Sequence, residues 1–196
     1  MKTGWIFLTA ALGIVLAGIV WWALRLRKTG ADSPPVTECE REKETGILTA
    51  PLSGVSIPLE QVRDDVFSAG ILGEGAAIIP DSGEVYAPVN GVIVNIPESL
   101  HAIALTGEDG TELLIHVGLD TVNLKGEHFT LHVKEGERVR RGQPLMTFAL
   151  DKIKEAGYDP VTPMILTETG GRKYTAVKGK IRAGDVWMAP AEVENT

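Results

Sequence analysis

Two histidines bracket a run that reads His101-Ala-Ile-Ala-Leu-Thr-Gly-Glu-Asp-Gly-Thr-Glu-Leu-Leu-Ile-His116. An imidazole has an ordinary pKa of about 6.5, so near neutral pH it offers an uncharged, nucleophilic ring nitrogen. Two apposed rings can divide a phosphoryl transfer between them. One nitrogen takes the group while the other ring donates a hydrogen bond to its oxygens. No metal and no nucleotide cradle is required for that chemistry. By residue type alone, the pair also fits two satisfied, partly buried histidines or half of a metal site. A second pair, His128 and His132, has the i, i+4 spacing that binds zinc on a helix. No third ligand pattern follows it, and the flanking residues are loop-like, so both rings are expected to face solvent.

The elements around His101 and His116 must bring them together. Apolar residues flank Gly107-Glu108-Asp109-Gly110, a run of turn formers, which predicts a β-hairpin with those four residues as its loop. Thr106 then opposes Thr111, and the same register places His101 directly opposite His116 on one face. A slip of one residue would put the two rings on different faces.

The remaining sequence from Ile47 onward has the same character. Short apolar runs, such as Ala76–Ile79, Gly91–Ile96, Leu145–Leu150 and Met164–Thr167, are divided by glycine and proline. This predicts an all-β, glycine-rich antiparallel sandwich or barrel, with one short helix near Asp151–Gly157. Ala50-Pro51-Leu52-Ser53-Gly54-Val55 is echoed by Ala87-Pro88-Val89-Asn90-Gly91-Val92, as expected for equivalent corners of a duplicated sheet structure.

The chain has 196 residues, enough for one domain with an appendage. Its net charge is −7, with the excess acid downstream of residue 46. Nucleic acid is excluded as a partner, because phosphate binding needs clustered Lys and Arg. A basic protein partner suits the charge better. The single cysteine, Cys39, cannot form an intramolecular disulfide or a thiolate zinc cage.

Residues 1–28 are expected to be an N-terminal transmembrane anchor. Trp5–Leu24 is uncharged and apolar, long enough as a helix to span roughly 30 Å of hydrocarbon. Arg25, Arg27 and Lys28 follow directly, which places the C-terminal side in the cytoplasm, and Trp21-Trp22 sits at the interface. A cleaved signal peptide fits less well, since bulky Trp21-Trp22 stands where a small-residue cleavage site would be. Residues 29–46 carry Pro34-Pro35 and alternating charges and predict a solvated linker. The domain then runs over residues 47–196.

The run Ile115-His116-Val117-Gly118-Leu119-Asp120-Thr121-Val122-Asn123-Leu124-Lys125-Gly126-Glu127 resembles the active-site segment of glucose-type IIA domains of the bacterial phosphotransferase system. Ala87-Pro88-Val89-Asn90-Gly91, Ser99-Leu100-His101-Ala102, the Gly136 to Gly142 stretch and Thr162-Pro163 resemble that family in order and spacing as well. The resemblance implies a fold of the duplicated hybrid-motif type and a phosphocarrier, a component of a sugar phosphotransferase. His116 would accept the phosphoryl group from HPr, and His101 would contact that group and serve onward transfer to a IIB cysteine, beside a IIC permease. Ser99 matches a hydroxyl residue beside the pair, and Gly118 and Asp120 belong to the active-site run. Val66, Phe67, Ile71 and Leu72 match an apolar collar that docks both partners, and acid-bordered apolar patches suit protein docking in general. No cofactor is implied beyond the phosphohistidine itself, although a zinc ion could join His101 and His116 to a partner's carboxylate. Pro97, Ala104 and Leu114 depart from phenylalanines found in some relatives.

Three other readings compete. Gly136 to Leu145 followed by Asp151-Lys152 also resembles a lipoyl or biotinyl carrier, with Lys152 as the modified residue. A lysostaphin-like zinc peptidase would need a His-x-x-x-Asp, a spacing that His116 and Asp120 have, and a later His-x-His, which does not occur. A regulatory IIA homologue that has lost transfer is the third.

Overall fold

The computed structural model describes residues 46–191. The expected anchor, the linker and Cys39 lie outside the described residues. Among the described residues, no helix is long and apolar enough to cross a membrane.

The first strands are β1 (Leu48–Thr49), β2 (Gly54–Pro58), β3 (Glu74–Pro80), β4 (Glu84–Tyr86) and β5 (Gly91–Asn95). The histidine hairpin follows as β6 (Ala102–Gly107) and β7 (Glu112–His116). Then come β8 (Phe129–Leu131), β9 (Arg138–Val139), β10 (Pro144–Phe148) and β11 (Thr162–Glu168). The chain closes with β12 (Tyr174–Ala176), β13 (Gly179–Ile181) and β14 (Val186–Pro190). Two short helices interrupt the strands, α1 (Asp65–Ser68) and α2 (Leu150–Glu155).

Eight strands form one sheet in the order β13-β2-β3-β11-β7-β6-β5-β9, flanked by three-stranded sheets β1-β14-β12 and β4-β10-β8. All pairings are antiparallel, in agreement with the expected all-β architecture. Alternation along β7 explains how the site is supported. Leu113 and Ile115 point into the main core with Ile103, Leu105 and Trp187, so Leu114 and His116 occupy the opposite face. There a smaller cluster of Leu59, Val62, Phe67, Ala77, Leu119, Val161 and Ile165 covers the sheet, with Leu114 packed against it.

The echo between residues 50–55 and 87–92 is a genuine structural duplication. Ala50 N–H donates to Asp185 O and Gly184 N–H to Ala50 O; equivalently, Ala87 N–H donates to Gln143 O and Gly142 N–H to Ala87 O. The two copies also bind each other, through Thr49 N–H to Pro88 O at 3.1 Å and Tyr86 N–H to Pro51 O at 2.7 Å.

The hairpin register differs from the expected one by a single residue. Ala102, not His101, pairs with His116, and Thr106 pairs with Glu112. The cause is loop length. Gly107 N–H donates to Thr111 O at 2.8 Å, so Gly107 belongs to the strand and only Glu108-Asp109-Gly110 turns. Asp109 Oδ1 accepts from Thr111 N–H and closes this shorter loop.

Candidate functional site

The one-residue shift would separate two rings in mid-strand, yet here they touch. His101 and His116 stack edge-on with centroids 4.7 Å apart and planes at 78°. Both residues sit where the ladder ends. His101 precedes β6 and still accepts a hydrogen bond from Val117 N–H at 2.8 Å. Leu100, just before it, has a left-handed backbone with φ of 54°. Free of strand alternation, His101 reaches diagonally across the end of the hairpin to the ring of His116.

On the far side of His116 stands Phe67, whose ring centroid is 5.1 Å away at an edge-to-face angle of 62°. Helix α1 delivers it. Asp64 caps that helix by accepting from Val66 N–H at 2.9 Å and Phe67 N–H at 3.0 Å. Phe67 is therefore a buried wall of the histidine site, 7% exposed, and not part of an outer collar. Val66, Ile71 and Leu72 do face solvent, at 44%, 72% and 40%. The expected apolar patch thus keeps three of its four members and gives one to the site.

The loop after His116 is fixed from both sides. Thr121 Oγ1 donates to Val117 O at 2.6 Å, and Leu119 N–H donates to Asp159 O at 2.8 Å. Gly118 has φ of 75°, and a Cβ there would lie 2.5 Å from Thr121 Cγ2 and 3.1 Å from Asp159 O. Only glycine fits this turn. Asp120 is exposed at its outer edge, with φ of 57°. Ser99 Oγ and His101 Nδ1 form a 2.8 Å hydrogen bond. His116 Nδ1 is buried and makes no well-formed hydrogen bond.

Burial sets the electrostatics. It lowers the pKa of His101, and it lowers that of His116 to about 4, helped by repulsion from His101. The Gly118 backbone and the Asp64 charge oppose this in part. Both rings are thereby kept neutral near pH 7, the nucleophilic form. A histidine held neutral in the fold binds fewer protons than the unfolded chain once pH drops below about 6.5. Stability contributed here is whole above that pH and should be lost between about pH 6.5 and 4, by up to roughly 3 kcal/mol. Denaturant unfolding of His116→Gln beside wild type across that range should show the difference. A parallel pH profile for the two proteins would contradict it.

The other titratable groups lie elsewhere. His128 and His132 are exposed, flanking β8. Lys152 lies exposed on α2, where it pairs with Glu155 at 2.7 Å. Among the described residues, no group of three or more His, Cys, Asp or Glu is placed to hold a metal ion. The histidine pair alone would leave zinc short of the four ligands it takes.

Comparison with known proteins agrees with this arrangement. Residues 46–171 match the family model for the phosphoenolpyruvate-dependent sugar phosphotransferase system, EIIA 1. A beta-glucoside-specific EIIBCA component from Bacillus subtilis is 41% identical over 192 residues, covering 93% of this chain and 31% of the relative. A glucose-specific EIIA component from Oceanobacillus iheyensis is 45% identical over 130 residues, covering 66% of this chain and 79% of that one. The solved glucose permease IIA from Mycoplasma capricolum superposes with a TM-score of 0.68 at 35% identity, over 73% of this chain and 93% of its own. The chain spans only about a third of the length of the first of these relatives, which joins further components. With its histidine pair, its duplicated β-fold and these similarities, the chain belongs to the EIIA 1 family of the phosphoenolpyruvate-dependent sugar phosphotransferase system.

Proposed function

We propose that the domain carries a phosphoryl group on His116, received from phospho-HPr and passed to a IIB cysteine for sugar uptake by a IIC permease. The observation that supports this most directly is the 4.7 Å centroid separation of two neutral imidazoles, His101 buried and His116 half-buried and walled by Phe67. His116 Nδ1 is sealed from solvent, so Nε2 is the nitrogen that attacks. A new P–N bond forms at Nε2 as the donor's P–N bond breaks, and the donor imidazole leaves with the bonding pair. The positive charge gained by the His116 ring is favoured by the neighbouring Gly118 backbone. His101 Nδ1 can accept a hydrogen bond from the Ser99 hydroxyl, which leaves its Nε2–H to donate to the phosphoryl oxygens.

Val66, Ile71 and Leu72 form the docking rim, with Asp120 available to a basic partner. The fused relative named for B, C and A components supports IIB and IIC as the acceptor side. Its alignment covers 93% of this chain, more than the domain alone, and so extends into the residues upstream. Residues 1–28 then serve as a single-pass anchor and 29–46 as the tether, holding the domain on the cytoplasmic side of the inner membrane. Tethering raises the effective concentration near a membrane-embedded acceptor. Transfer itself calls for no cofactor; a zinc ion at the pair would require a carboxylate from a partner.

Reconstitution with phosphoenolpyruvate, enzyme I and HPr tests the reading. Wild type should take up an acid-labile, base-stable label. His101→Ala should still accept it but deliver it poorly to a IIB domain. Failure of wild type to accept any label would overturn the proposal, and a lipoyl or biotinyl mass on Lys152 would favour the carrier alternative.

A further inference from the structure

Four non-glycine residues among those described adopt a left-handed backbone: Leu100, Asp120, Lys125 and His128. All four flank the histidine pair, one just before His101 and three in the segment after His116. Asp tolerates this conformation, and glycine prefers it; a branched apolar residue such as leucine does not. Such conformations persist only where the surroundings over-determine them, and they gather at functional sites.

The surroundings of Leu100 are well defined. Its N–H donates to Pro97 O at 2.8 Å, which closes a turn through Glu98 and Ser99. Ser99 at that turn reaches back to His101 Nδ1 at 2.8 Å. The side chain of Leu100 is half-buried against the main core. It also meets the loop that follows His116: a Cβ on Gly126 would lie 3.5 Å from both Cγ and Cδ1 of Leu100. One residue therefore adjoins the supports of both histidines.

We propose that Leu100 is a positioning residue for phosphoryl transfer, its left-handed backbone setting the Ser99–His101 hydrogen bond and its side chain bracing that turn against the Gly126 loop. The inference rests on the role given to His101 above. Its chemical content is geometric: His101 must stand within hydrogen-bond reach of a phosphoryl group on its neighbour, and it lies outside the strand ladder that could otherwise fix it. Beyond the backbone bond from Val117 N–H, the Leu100 side chain beside Gly126 supplies a second constraint. A displacement of about 1 Å at a transfer site can cost on the order of a hundredfold in rate.

Leu100→Asn keeps a residue that accepts the left-handed backbone but removes the apolar brace. It should accept label on His116 within about twofold of wild type, yet transfer it to a IIB domain about ten- to a hundredfold more slowly. The imidazole nitrogen spectrum of His101 should also show a weakened Nδ1 hydrogen bond, because the turn shaped by the left-handed backbone is no longer braced. Leu100→Met, which restores length and apolarity, should recover both. Melting curves verify that each variant folds. Onward transfer by Leu100→Asn within twofold of wild type, with His101→Ala impaired in the same assay, would overturn the proposal. If His101→Ala itself transfers normally, the reading of His101 fails instead. An unchanged His101 spectrum in Leu100→Asn would then reject the bracing role by itself.

Discussion

His116→Ala is expected to reduce labelling from phospho-HPr to background while leaving the domain folded. The substitution removes the ring nitrogen that is proposed to accept the group. His101 cannot substitute, because Ser99 engages its Nδ1 and its ring stands edge-on to the vacated place. The fold should tolerate the change. His116 Nδ1 is buried without a well-formed hydrogen bond, so deleting it removes an unfavourable group along with some packing. A net change within about 1 kcal/mol is expected, read from thermal melts beside the labelling gel. Label retained on a folded His116→Ala domain would mean that the phosphoryl group resides elsewhere.

Phe67→Ala should have the largest effect on stability among the residues of the site. Phe67 is 7% exposed and belongs to the smaller apolar cluster, so truncation should cost about 3 kcal/mol. For a domain of this size that corresponds to a fall in melting temperature of roughly 10 °C. The chemical consequence is more telling. Burial is the main cause of the lowered pKa of His116, and Phe67 lies on its ring at 5.1 Å. Opening that wall should move the His116 pKa from about 4 toward its ordinary value of about 6.5. Titration by NMR reads the shift directly, and acceptance of label should then decline on the acid side of neutrality. A His116 pKa that stays near 4 in a folded Phe67→Ala domain would show that the sheet, not α1, desolvates the ring.

Much of this was legible in the sequence, because it depends on local rules. The strands follow from apolar runs cut by glycine and proline, and α2 overlaps the region expected to be helical. The pairing of His101 with His116 was foreseen from a hairpin, though by a register that proves wrong by one residue. Gly107 is a turn former by type, and nothing local shows that the fold keeps it in the strand. The contact survives because both histidines sit at the frayed end of the ladder, a feature of the fold and not of the pattern. Phe67, expected in an outward docking collar, turns inward for a similar reason. In a stretch such as Val66-Phe67-Ser68-Ala69-Gly70-Ile71-Leu72, only the placement of α1 over the sheet decides which side chain turns inward. Leu100 carried no local signal at all, since leucine does not advertise a left-handed turn.

The reciprocal bonding of the two echo segments also bears on how the domain comes into being. Leu48 and Thr49 pair with β14, the last strand, and Trp187 Nε1–H donates to Ser56 Oγ at 2.7 Å across nearly the whole domain. The first strand therefore has no partner strand until the last has been made. Topologies that depend on such distant pairings fold slowly, in milliseconds to seconds. During synthesis the exposed edges of the early strands must wait for the C-terminal turn of the ribosome's product to arrive. Trp187 is the single tryptophan between residues 46 and 191 and is fully buried. Its fluorescence reports the moment at which the two ends of the domain meet.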